Sequence, residues 1–199
     1  MNIKPIIVGI TGASGVVYGI RLLETLRNLG VETHLVMSKS AHLAIEQELE
    51  LDLQTVREKA GRYYPISDVG AAIASGSFRT MGMVIAPCTV KSMSEISCGT
   101  TGNLLTRAAD VTLKERRKLV LMVRETPLHL GHLRSMTQLA EMGAIIMPPV
   151  PAFYMHPQTI SDMVDHTIGR VLDLFEIEHD AKRWNGLYKP LKKLDTDSQ

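Results

Sequence analysis

The chain has 199 residues, 45% hydrophobic and 22% charged, with 22 Lys and Arg against 21 Asp and Glu. That size and balance suit one domain able to bury a core, and a formal net charge of +1 with interspersed signs offers no one-signed field to nucleic acid or an anionic membrane. Cys88 and Cys98 are too few for a disulfide framework, and no apolar run reaches the ~20 residues of a membrane span, so small-molecule chemistry in a reducing cytoplasm is expected.

The first element is the apolar run Ile6-Ile7-Val8-Gly9-Ile10, which breaks into Thr11-Gly12-Ala13-Ser14-Gly15 before an amphipathic segment. This predicts a buried strand, a tight turn and a helix start. The unpaired N–H groups and partial positive charge of that first helical turn suit a phosphate over Gly12 to Gly15. Leu22, Leu26 and Leu29 then recur at helical spacing until Gly30 stops the helix. Val31 to Met37 alternates as a second strand and ends at Ser38-Lys39, from which a helix runs to about Leu49. Residues 51–80 show weak periodicity and many small residues, which predicts a long mobile or functional loop.

Met81 to Ala86 is a continuous apolar strand ended by Pro87-Cys88-Thr89, followed by helices over Ser92 to Ile96 and Leu104 to about Arg117. Lys118 to Val123 predicts another buried strand, with Arg124-Glu125-Thr126-Pro127 after it and a helix from about Gly131 to Met142. Ala144 to Met147 is expected to be the last strand. Ile160, Val164, Ile168, Val171 and Phe175 form one apolar helical stripe. We divide the chain into a single domain over 1–180 and a tail over 181–199, in which Trp184, Leu187 and Tyr188 are groups able to dock on another surface.

This alternation predicts an α/β fold: a doubly wound, Rossmann-like three-layer sandwich with a parallel sheet, binding ligands at the carboxyl ends of its strands. Thr11 to Ser14, Ser38, Thr89 to Ser92, Arg124-Glu125 and Phe153-Tyr154 all fall there. The first turn reads G-x-x-G-x-S-G, and the second strand ends without the acidic residue that would hold a ribose, so a mononucleotide is favoured over a dinucleotide. A guanidinium at Arg124 suits a phosphate, and a carboxylate at Glu125 suits proton transfer. Arg107 and Lys114, two turns apart on one helix, read by themselves as a solvated charged face. His129 and His132 have no third ligand of matching spacing, which favours a capping or surface role over a metal. Cys88 reads as a small buried residue, and Met81, Met83, Met136, Met142 and Met147 as core filler.

In their order, Gly9 to Gly15, Ala74-Ser75-Gly76-Ser77, Arg107 to Arg116, Leu119-Val120-Leu121, Arg124-Glu125-Thr126-Pro127 and Pro151-Ala152-Phe153-Tyr154 resemble the UbiX-type flavin prenyltransferases, including the members of the phenolic-acid-decarboxylase subgroup. The resemblance covers nearly the whole chain and implies a flavodoxin-like sandwich. It implies that reduced FMN, a substrate, is held by Gly12, Ala13, Ser14, Ser38, Thr89, Val90, Lys91, Ser92 and Arg124, with no metal. It implies a dimethylallyl phosphate held by Lys114, Tyr154 and Arg170, with Ser14, Glu48, Arg107, Lys114 and Glu125 around the reacting groups. The implied reaction carries a dimethylallyl group to flavin N5 and then C6. The prenylated FMN passes to a UbiD-type decarboxylase, and the implied assembly is a homododecamer. A tryptophan common in the family falls at Val69, and the proline before Arg-Glu falls at Val123. Two other readings are weighed. One is an FMN-dependent cysteine-type decarboxylase, whose Pro-Ala-Ser-Ala-Asn-Thr segment is here Ala86-Pro87-Cys88-Thr89-Val90-Lys91. The other is a non-catalytic flavin-binding accessory protein.

Overall fold

The computed structural model describes residues 4–184 and 186, so Leu187 and Tyr188 lie outside the described residues. In chain order its elements are β1 (Ile6–Ile10), α1 (Val17–Asn28), β2 (Thr33–Met37), α2 (Lys39–Leu49), α3 (Leu53–Glu58), β3 (Arg62–Tyr64), β4 (Gly82–Cys88), α4 (Val90–Ser97), α5 (Leu104–Lys114), β5 (Lys118–Val123), α6 (Leu130–Glu141), β6 (Ile145–Ile146) and α7 (Ile160–Leu174). Short 3-10 turns cover Ala72–Ala74 and Phe153–Met155.

The strands form one six-stranded sheet in the order β3-β2-β1-β4-β5-β6, parallel throughout. Both faces are covered. Ile6, Val8 and Ile10 pack toward Leu22, Leu23 and Leu26 of α1 and Val164, Ile168 and Val171 of α7. Ile7 faces the other way, toward Met93 of α4 and Leu104, Leu105 and Ala108 of α5. A sheet buried on both sides needs apolar residues at every position, and all five residues of β2 are buried where the sequence pattern suggested an alternating strand.

The expected structureless stretch over 51–80 contains α3 and β3. Asp52 caps α3 by accepting from the Thr55 N–H at 2.9 Å, and β3 extends the sheet through His34↔Arg62, Leu35↔Tyr63 and Val36↔Tyr64. Elements of six and three residues are too short for a period to show in sequence. The central strand β4 also runs past Ala86 through Pro87 and Cys88. Pro87 has no N–H for the ladder, and the β4–β5 register shifts between Ile85 and Cys88. Met83 is fully buried as expected of core filler, but Met142 is 43% exposed at the end of α6.

Two glycines set how closely the layers approach. A Cβ on Gly19 would lie 2.2 Å from the Ala86 carbonyl oxygen, so α1 rests directly on the end of β4. A Cβ on Gly12 would lie 2.4 Å from Ser40 Cβ and 2.8 Å from the Ser40 carbonyl carbon, so the turn after β1 touches the start of α2. Both contacts fall at the carboxyl edge of the sheet, beside the point where the chain order reverses between β1 and β4.

Candidate active site

At that reversal the starts of α1, α2 and α4 converge. Thr11 joins the two central strands: its hydroxyl donates to the Pro87 carbonyl at 2.7 Å and accepts from the Thr89 N–H at 2.8 Å. Gly15 turns the chain with φ +97°, a conformation that favours glycine, and leaves Ser14 exposed at the tip. Ser38 caps α2 by accepting from the Ala41 N–H at 3.1 Å, with its hydroxyl 3.0 Å from that of Ser40. Thr89 caps α4 in the same way, accepting from the Ser92 N–H at 3.2 Å and donating to the Ser92 hydroxyl at 3.1 Å. Val90 is half-buried in the first turn of α4, and Lys91 projects outward to pair with Glu95 at 3.3 Å.

Arg124 follows β5, its N–H bonded to the Cys88 carbonyl at 3.1 Å and its side chain exposed. Burial raises the Tyr18 phenol above its ordinary value, and the positive charge of Arg124 partly offsets this. Tyr18 belongs to the crevice although sequence reasoning did not single it out. Its signal is its place in the first turn of α1, where its ring lies beneath Gly15, 3.2 Å from the point a Cβ would occupy. Glu125 is exposed beside Arg124 and accepts from the Thr126 N–H at 2.9 Å.

Glu48 reaches the same turn from the last part of α2. Its Oε2 accepts from the Gly15 N–H at 2.9 Å and the Val16 N–H at 3.2 Å. The anion at the α1 N-terminus is therefore a carboxylate of the chain itself, at the position where the sequence suggested a phosphate.

Tyr154 and Arg170 line one cavity of about 360 Å³, together with His166, Asp173 and Trp184, and none of its lining residues belongs to the crevice. Arg107 and Lys114 are not in the crevice. Arg107 donates to the Ala74 carbonyl at 3.3 Å and to Asp110 at 2.7 Å, and Lys114 pairs with Glu115 at 2.5 Å against Gly76. Arg117 completes this clamp, donating to the Phe78 and Gly76 carbonyls at 2.7 and 2.6 Å. Lys114 ends α5 beside the start of β5, and the length of that strand, about 20 Å at ~3.3 Å per residue, separates it from Arg124.

Three further expectations meet the structure here. His129 is a cap, its Nδ1 accepting from the Gly131 and His132 N–H groups at 3.0 and 3.4 Å. Cys88 is buried, which pushes its thiol up to about 12 and leaves it a poor nucleophile. Val69, at the place of the family tryptophan, is 56% exposed. Among the described residues no group of three or more His, Cys, Asp or Glu is placed to hold a metal ion.

Hydroxyls from three loops, one guanidinium and a small-residue turn at the switch point of a doubly wound sheet define a mononucleotide-binding α/β protein. The Flavoprotein family model matches residues 1–173. The flavin prenyltransferase UbiX of Escherichia coli K12 is 56% identical over 187 residues, covering 92% of this chain and 99% of that protein. A crystal structure of AnUbiX (PadA1) in complex with FMN and dimethylallyl pyrophosphate superposes with a TM-score of 0.92 at 47% identity, covering 94% of this chain and all of that one. A dodecameric FMN-dependent UbiX-like decarboxylase from Escherichia coli O157:H7 gives a TM-score of 0.89 at 49% identity, covering 92% of this chain and all of that one. The chain belongs to the UbiX flavin prenyltransferase family.

Proposed function

We propose that this protein joins the dimethylallyl group of a dimethylallyl phosphate to N5 and C6 of reduced FMN, making prenylated FMN. The observation that carries this reading is the meeting of Ser14, Ser38, Glu48, Thr89 and Arg124 at one strand edge, in a chain 47% identical to a structure holding both FMN and dimethylallyl pyrophosphate. The residues fit a flavin mononucleotide. The small turn over Gly12, Ala13 and Ser14 lets a planar ring approach, the hydroxyls of Ser38, Thr89 and Ser92 suit phosphate oxygens, and Arg124 supplies the counter-charge. In the reaction the allylic C–O bond breaks and phosphate departs as an anion while N5 gives up its proton to form the first bond; the bond to C6 then forms at the expense of the prenyl C=C bond, which takes up a proton as C6 releases one.

The chain's own groups divide that work. Arg124 and the capping hydroxyls bind and orient the flavin phosphate, and Ser14 stands at the ring. Glu48, bonded to the turn, and Glu125, next to Arg124 in the chain, hold or move protons at the rim. Tyr154 and Arg170 receive the donor phosphate and neutralise it as it leaves. Arg107, Lys114 and the Tyr154–Arg170 cavity reach the crevice only between copies of the chain, and we infer a homododecamer here as well, a reading that the dodecameric state of one relative supports. The product is of use only to an enzyme that needs the modified flavin, which we take to be a UbiD-type decarboxylase. No helix among the described residues is long and apolar enough to cross a membrane, and the supply of reduced FMN favours the cytoplasm as the setting.

Anaerobic incubation with reduced FMN and dimethylallyl monophosphate is expected to add one prenyl unit to the flavin, read by mass spectrometry; an unchanged flavin mass would overturn the reading. Release of carbon dioxide from a cysteinyl peptide would favour the decarboxylase alternative instead. For Tyr154→Phe and Lys114→Ala, the donor KM is expected to rise about tenfold, the loss of one charge-assisted bond, with FMN affinity unchanged. Equal loss of both ligands would place these side chains wrongly.

A further inference from the structure

After α7 the chain turns back, and residues 179–184 lie along that helix. The contact is built into both partners. A Cβ on Gly169 would be 2.6 Å from Ala181 Cβ and 3.0 Å from His179 Cε1, so only a glycine lets the returning segment lie this close. Asp173, one turn further along α7, ties it down. One of its oxygens accepts from His179 Nε2 at 3.0 Å and from Arg183 at 2.6 Å, and the other accepts from Arg170 at 2.5 Å.

His179 is fixed in one tautomer, because its Nδ1 accepts the Ala181 N–H at 3.1 Å and the proton must sit on Nε2, facing Asp173. Burial pushes the Asp173 carboxyl up, but the bonds from Arg183 and His179 outweigh it and hold the group below its ordinary value, as an anion. The segment ends with Trp184 edge-on to Tyr154, ring centroids 5.4 Å apart, and Tyr154 is edge-on to His166 at 6.0 Å. Arg170, Lys182 and Arg183 face this space with Asp173 as the one acid among its lining residues, so the pocket keeps a positive balance suited to an anionic ligand.

We propose that Asp173 is a positioning residue of the donor pocket: with Gly169 as the seat, it straps residues 179–184 onto α7, aims Arg170, and sets Trp184 as a wall against Tyr154. This rests on the prenyltransferase reading for the identity of the ligand, a prenyl phosphate, and adds the strap and its fastening to it. The strap supplies an apolar wall for the prenyl chain and a second guanidinium, Arg183, beside the phosphate position.

Trp184 is the only tryptophan of the chain, so its fluorescence reports the strap directly. The full-length protein and its Asp173→Asn, Arg183→Gln and Gly169→Ala variants are compared by tryptophan emission, by FMN titration, and by KM and kcat for dimethylallyl monophosphate. Asp173→Asn and Gly169→Ala are expected to red-shift the emission and raise the donor KM about tenfold, with FMN affinity and kcat at saturating donor close to wild type. Arg183→Gln is expected to give a smaller change in the same direction; its side chain is half-exposed, so it reports even where the glycine variant folds poorly. Asp173→Glu is expected to recover part of the loss. Unchanged emission in Asp173→Asn, or a shifted emission with an unchanged donor KM, would overturn the strap. Absence of prenyl transfer in the wild-type protein would overturn the parent reading instead, and the emission response would still stand as a test of the seat.

Discussion

Replacing Arg124 with alanine is expected to weaken FMN binding by about 10- to 100-fold, the ~1.5–3 kcal/mol of a hydrogen bond to a charged group, without lowering the melting temperature. The side chain is exposed and makes no hydrogen bond or ion pair with other described residues, while its backbone is fixed by the Cys88 carbonyl. Removing the guanidinium thus takes away ligand contacts and leaves the sheet edge intact. Flavin titration by fluorescence quenching measures the effect, and thermal melting controls for folding. Arg124→Lys should recover only part of the affinity, since an ammonium keeps the charge and loses the forked geometry. An alanine variant that binds FMN as tightly as wild type would remove Arg124 from the flavin site.

Glu48→Gln is expected to slow prenyl transfer by about 10²- to 10⁴-fold, the usual contribution of a positioned acid or base, while FMN stays bound. The amide oxygen of glutamine can still accept from the Gly15 and Val16 N–H groups, so the turn keeps its cap and loses only the charge and the titratable oxygen. Single-turnover kinetics with pre-bound flavin separates the two effects. Loss of FMN from this variant would instead assign Glu48 a purely structural role at the α1 N-terminus.

The outline of the fold was readable wherever an element was long enough to show a period. The strand over Lys118 to Val123 and the helix reaching Leu49 fall where the pattern put them, and the chain order implied a parallel sheet before any contact was known. The stretch over 51–80 was not readable, because α3 and β3 are held by tertiary pairing with β2 and carry little local signal. The candidate site divides along a similar line. Residues that follow a strand, such as Ser38, Thr89 and Arg124, announce themselves by position. Glu48 acquires its place only when α2 folds back against the first turn, and Tyr18 and Asp173 only when their neighbours are packed. Arg107 and Lys114 stand out through family resemblance alone, and the single chain keeps them on the outer face of α5.

The double hydrogen bond of Thr11 has a consequence for how ligands come and go. One hydroxyl both gives to Pro87 and takes from Thr89, so the tips of β1 and β4 are stitched together at the mouth of the crevice. Two strands joined in this way resist parting to widen the opening. Adaptation to a bulky tricyclic ring, and to the fourth ring that grows on it, then falls to the turns around this floor. The base of such a site is its stiffest part, and freedom to adapt is left to its walls.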